Sequence, residues 1–102
     1  MGDELRVSQA DIFKALAHPV RLQILQMLQQ GERCVCELVA EIETEQPNIS
    51  RHLAILKKDG ILGCRKDGLK VMYWVRDRRA FKLLELSREM LKSYWQEKSG
   101  VF

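Results

Sequence analysis

A mainly helical chain carrying one β-hairpin is the fold class this sequence predicts, and three observations predict it. Apolar residues recur at three- and four-residue spacing along most of the chain. One stretch, "ILGCRKDGLKVMYWV", reads instead as two strand-like runs about an Asp-Gly pair, a strong short-range hairpin signal. The prolines, Pro19 and Pro47, both stand where a helix can begin.

Taken in order, "QADIFKALA" (residues 9–17) puts Ile12, Phe13 and Leu16 at helical spacing. His18-Pro19 interrupts it, and "VRLQILQMLQQ" forms a second helix with Leu22, Ile24, Leu25 and Leu28 on one side, stopped by Gly31. A short third helix is expected in "ELVAEIE", with Cys36 where a serine or threonine cap would stand. Thr44 is a candidate cap for the fourth helix, residues 47–59, which ends at Gly60. After the hairpin, "DRRAFKLLELSREMLKSYWQEK" is a long amphipathic helix. Its stripe of Leu83, Leu84, Leu86, Met90, Leu91, Tyr94 and Trp95 is wider than so small a domain can bury alone, which suits a dimer interface. Two short helices joined by a tight turn and followed by a basic hairpin make a winged helix-turn-helix. Residues 1–102 are read as a single such domain.

Composition narrows the function. The 17 basic and 14 acidic residues give a net charge of +3, which permits nucleic-acid binding without establishing it. Three cysteines, an odd number, and no N-terminal apolar run argue against a secreted disulfide scaffold. With no stretch near the roughly 20 apolar residues that span a bilayer, a cytoplasmic protein with reduced thiols and no membrane partner is expected. Two histidines, no glycine-rich phosphate loop and no paired carboxylates in a predicted cleft make an enzyme improbable.

On the fourth helix, at about 100° per residue, Ile49, Leu53 and Leu56 share the core side. Pro47, Arg51, Ala54, Ile55 and Lys58 fall opposite, with Asn48 and Ser50 on the flanks. Bases among small residues let a backbone approach a groove: Arg51 suits guanine or phosphate, and Gln46 and Asn48 near the N-terminus suit adenine. His52, about 60° from the core direction, is read as a hydrogen-bonded structural residue. Arg65, Lys66 and Lys70 around the hairpin turn suit phosphate contact beside the groove. Each face alone could be ordinary solvated surface, but the two in series favour binding to double-stranded DNA.

These residues also carry a resemblance. "FKALAHPVRLQIL", "ERCVCELVAEI", "QPNISRHLAILKKDGIL" and "RKDGLKVMYWV" closely resemble the ArsR/SmtB family of metal-sensing repressors, from about Phe13 to Val75. The "SRHLxxLxxxGxL" pattern, Ser50 to Leu62, is similar to the family's recognition helix, and "CVCEL" looks like the metal box of its arsenite- and cadmium/lead-sensing branches. The resemblance implies a homodimer, paired through its first and last helices, that represses a metal-resistance operon until As(III) or Sb(III) releases it from operator DNA. Cys34 and Cys36 are the ligands so implied. The third cysteine of the extended arsenite box is replaced by Val39, which leaves Cys64 as the remaining protein thiol. Residues 1–33 hold no cysteine, against the cadmium/lead branch. Arg79 stands where zinc sensors place histidine on the last helix, which leaves Asp77 alone there.

The geometry of the pair is restrictive. Residues i and i+2 are about 200° apart on a helix, so Cys34 and Cys36 chelate one ion only if Cys34 is in an extended lead-in and Cys36 at the helix cap, or if the first turn opens. A comfortable bond between them is not expected. Cys64 shares a strand face with Leu62, Val71 and Tyr73, which favours burial over ligation. Two alternatives stay open: a sensor of other thiophilic ions (Cd or Pb) or of thiol oxidation, and a ligand-independent DNA-binding module.

Overall fold

The structure is a computed structural model that describes the backbone of residues 2–42 and 46–100 and the side chains of residues 2–42 and 48–100. The first helix, α1 (Gly2–Leu16), starts well before Gln9, where apolar spacing begins. Residues 2–10 are all exposed, so no burial pattern marks them. Asp3 and Glu4 in the first turn suit the positive end of the helix, and Arg6 pairs with Asp3.

His18 is extended (φ −157°, ψ 133°) and caps α2 (Pro19–Met27), its Nδ1 accepting the Val20 N–H at 3.1 Å. A single 3-10 turn, Leu28–Gln30, follows and ends at Gly31, whose φ of 140° lies outside the range of most other residues. Then comes an element the sequence conceals, the two-residue strand β1 (Arg33–Cys34). Helix α3 (Val35–Glu41) begins before the expected Glu37, and its cap is Cys34, not Cys36. Cys34 Sγ accepts the Glu37 N–H at 3.2 Å, while the Glu37 carboxylate accepts the Cys34 N–H at 3.3 Å, a reciprocal capping box. Thr44, the expected cap of the next helix, lies outside the described residues. Helix α4 (Gln46–Lys58) sets Ile49, Leu53 and Leu56 wholly inside, as the periodicity requires; Ile55, expected on the outer face, is half-buried.

Strands β2 (Leu62–Asp67) and β3 (Lys70–Val75) pair antiparallel, and β1 joins the other edge of β3 in the order β1-β3-β2. The loop residues are Gly68 and Leu69, one position beyond the expected Asp67-Gly68 turn, with positive φ (63°) confined to Gly68. That pattern fits a type II′ hairpin. The shift sets Cys64 opposite Tyr73 and leaves Leu62, Cys64, Val71 and Tyr73 on one face. On the other face Trp74 covers Gly63 so closely that an added Cβ would stand 2.7 Å from the indole ring. Gly63→Ala is therefore expected to cost about 1–3 kcal/mol, seen as a lower urea midpoint at unchanged slope.

Helix α5 (Arg79–Lys98) closes the chain. Only its first turns touch the core, through Ala80, Phe81 and Leu84. Arg78 ties its start inward, donating to the Gln29 carbonyl at 3.0 Å and lying over the Phe81 ring. Farther along, Leu86, Met90, Leu91, Tyr94 and Trp95 are exposed, as are Leu5, Val7, Ile12 and Phe13 of α1. No described helix is long and apolar enough to cross a membrane.

Candidate nucleic-acid interface and cysteine site

The outer face of α4 carries Asn48, Ser50, Arg51, Ala54 and Lys58, all exposed above a fully buried inner row. Gln46 opens the helix, and its side chain lies outside the described residues. The wing cations, which the sequence treats alike, differ. Arg65 is held by Glu32 at 2.5 Å, with Asp67 at 4.0 Å, whereas Lys66 and Lys70 flank the loop and are exposed. Glu32 precedes β1, and nothing in the sequence pattern links it to the wing. His52, half-buried, faces inward, its Nδ1 3.2 Å from an Arg21 guanidinium nitrogen and its ring stacked at a tilt on His18.

Cys34 and Cys36 are joined by a disulfide, against the expectation that they do not bond comfortably. The reason is local. Cys34 is extended at the cap (φ −79°, ψ 159°) while Cys36 is in the first turn of α3, so the chain bends between them and their Cα atoms are 5.2 Å apart, within disulfide range. Cys34 is extended as expected, but Cys36 stands inside the first turn of α3 and not at its cap. Cys34 is 1% exposed and Cys36 is exposed, so an incoming reagent meets Cys36 first.

Cys64 is not brought to the pair. The register sets Cys34 against Met72 and Cys64 against Tyr73, neighbouring residues of β3 whose side chains alternate between faces. Cys64 instead accepts a hydrogen bond from the Lys57 ammonium of α4, which holds that ammonium above its ordinary range. Burial, then the neighbouring Cys64, pushes the Tyr73 phenol up. Among the described residues, no three histidine, cysteine or carboxylate side chains gather so as to hold a metal ion. On α5's approach, Asp77 is occupied by Arg79. Hydrogen bonds from the Arg79 side chain, then its backbone N–H, lower the Asp77 carboxyl to about 2. The stability this exposed carboxylate contributes is present above the ordinary range near 4 and is lost as pH falls through about 2. Asp77→Asn is expected to flatten the dependence of urea midpoint on pH in that acid window.

A cavity of about 590 Å³ opens beside the cysteines. It is lined by Cys34, Val35, Cys36 and Val39, by Ser50 of α4, and by Leu69, Lys70, Val71 and Tyr73 of the wing. The cavity thus borders the cysteine pair, α4 and the wing together. Sequence spacing gives no hint of this meeting, since residues 34–39 and 69–73 are brought together by the β1–β3 pairing and by the packing of α3 on β3.

Residues 18–62 match the model of the bacterial regulatory proteins of the arsR family. The chain is 44% identical over 82 residues to an HTH-type transcriptional regulator of Methanocaldococcus jannaschii, covering 79% of this chain and 92% of that protein. It is 48% identical over 63 residues to the arsenical resistance operon repressor of Escherichia coli (61% of this chain, 54% of that one). The solution structure of a homodimeric winged helix-turn-helix domain from Mycobacterium bovis superposes with a TM-score of 0.83 at 28% identity, covering 94% of this chain and 89% of that one.

Proposed function

We propose that this chain, which belongs to the arsR family of bacterial regulatory proteins, acts as a homodimer on an arsenic-resistance-type operon and leaves its operator when As(III) or Sb(III) binds the reduced thiolates of Cys34 and Cys36. Family membership makes it a transcriptional regulator and not an enzyme. The finer reading rests on one observation: the cysteine pair, Ser50 of the reading helix and the wing line a common cavity. Support for pairing through α1 and α5 comes from their exposed apolar rows and from the homodimeric relative.

The donor set fits a soft ion in part. In the dithiol form two soft sulfur ligands stand at the start of α3. Arsenous acid condenses with both thiols, As(OH)3 + 2 RSH giving (RS)2AsOH + 2 H2O, and the remaining position keeps hydroxide or takes an external thiol. Cys34 Sγ also caps α3, so an ion on that sulfur competes with the Glu37 N–H and loosens the helix supporting α4. Asn48, Ser50, Arg51 and Lys58, with Gln46, are the proposed base and backbone contacts. Lys66 and Lys70, with Arg65 once freed from Glu32, are the proposed phosphate contacts. Relief of repression by a hundredfold requires a coupling of about 2.7 kcal/mol.

Fluorescence anisotropy of the DNA upstream of this gene tests the reading. Reduced protein is expected to bind tightly and to release at near-stoichiometric arsenite, and Cys34→Ser/Cys36→Ser to bind but ignore arsenite. Cys64→Ser is expected to respond normally. Release that survives the double substitution would refute the site. The disulfide favours one further reading, oxidation by a hydroperoxide (2 RSH + H2O2 giving RSSR + 2 H2O), which release by peroxide without arsenite would support.

A further inference from the structure

Arg21 makes contacts that neither DNA reading nor ion sensing uses. Its Nε donates to the Ala15 carbonyl at 2.6 Å and one terminal nitrogen to the Lys14 carbonyl at 3.4 Å, the last turn of α1. Its other terminal nitrogen lies 3.2 Å from Nδ1 of His52 on α4. A guanidinium only donates, so His52 Nδ1 must accept, and the His52 proton resides on Nε2. His18 sits against the same ring, centroids 4.3 Å apart, and its Nδ1 is likewise an acceptor, from the Val20 N–H. Two half-buried imidazoles thus stand in contact, each with its Nδ1 committed as an acceptor, beside a permanent cation.

We propose that His18, Arg21 and His52 form a proton-sensitive joint that fixes the reading helix α4 against the last turn of α1 and opens in mild acid, weakening operator binding independently of the cysteines. His52 and His18 are positioning residues; neither touches DNA in this scheme. A proton on His52 Nδ1 turns the Arg21 contact into N–H facing N–H and sets two cations together. The groups facing His52 are His18 from the α1–α2 corner, Arg21 from α2 and Arg51 on its own helix, all of which oppose a further positive charge. On α3, the carboxylates of Glu37 and Glu41 are engaged by Arg33. Burial first, then His18, Arg21 and Arg51, lower the affinity of His52 for a proton. The sign follows: the closed joint is intact above the ordinary histidine value near 6.5 and is lost as pH falls below it, toward the lowered folded value.

The direction discriminates. Extra positive charge alone tightens binding to a polyanion, so a joint that opens must produce the opposite trend. Operator anisotropy at constant ionic strength is expected to show several-fold weaker binding at roughly pH 5.5 than at roughly pH 8. His52→Gln, whose amide oxygen accepts from Arg21 without titrating, is expected to bind equally at both pH values. The slope should persist in the Cys34→Ser/Cys36→Ser background, which separates this joint from the ion site. Affinity that is flat or rises in acid, or a slope retained in H52Q, overturns the proposal. A second readout needs only the natural sequence: the NMR titration of the His52 imidazole should shift to still lower pH when operator DNA is bound, and an unchanged titration overturns the joint equally.

Discussion

Replacing Lys66 and Lys70 together with alanine is expected to weaken operator binding by about two to three orders of magnitude near 0.1 M salt. Both flank the wing loop and are exposed. In a homodimer each substitution counts twice, so as many as four phosphate contacts vanish and the slope of log affinity against log salt falls by roughly 3 to 4. Arg65→Ala is expected to do less, since its guanidinium must first leave Glu32 to meet a phosphate. Glu32→Gln should accordingly tighten binding slightly by releasing Arg65. A salt titration of anisotropy for the three variants checks the order. Equal losses from Arg65→Ala and the double lysine variant would show that the Glu32 pairing does not persist on DNA.

Leu53→Ala is expected to have the largest effect on the fold. Leu53 is wholly buried beneath the reading face, in the cluster that includes Ile24, Leu25, Leu38 and Leu56. Truncation in such a site costs about 2–5 kcal/mol, against the 5–15 kcal/mol that typically holds a domain of this size. Thermal unfolding should shift down by roughly 10–25 °C. Ala54, next in sequence but exposed, serves as the control: Ala54→Ser should move the midpoint by no more than about 0.5 kcal/mol. The contrast locates the contribution of α4 to stability in its buried side rather than on its exposed face.

How legible the molecule is in its sequence varies with the range of the interaction. Ile49, Leu53 and Leu56 reveal the buried side of α4 because a helix repeats its own geometry every few residues. The wing is equally local, and even its one-residue loop shift leaves Cys64 and Tyr73 on the same face. Strand β1 is invisible because two residues carry no periodicity; it exists only through pairing with β3. Its presence moves the α3 cap back to Cys34, which in turn brings the two sulfurs together. The Arg65–Glu32 pair and the Arg21–His52 contact span 33 and 31 residues, and no spacing rule connects their members. Local patterns thus reveal which faces matter, whereas partners distant in sequence decide which side chains on those faces are engaged.

The capping role of Cys34 has an evolutionary consequence. Serine is among the best helix caps, so a change of Cys34 to serine removes a soft ligand while keeping an oxygen that can accept the Glu37 N–H. If Cys34 holds the ion as proposed, sensing can therefore be lost, or regained, by a single substitution that never passes through an uncapped helix. Alanine there would lose cap and ligand together, at about 1 kcal/mol. A lineage can in this way drift between responsive and unresponsive regulators on one scaffold, its DNA-reading surface unaltered throughout.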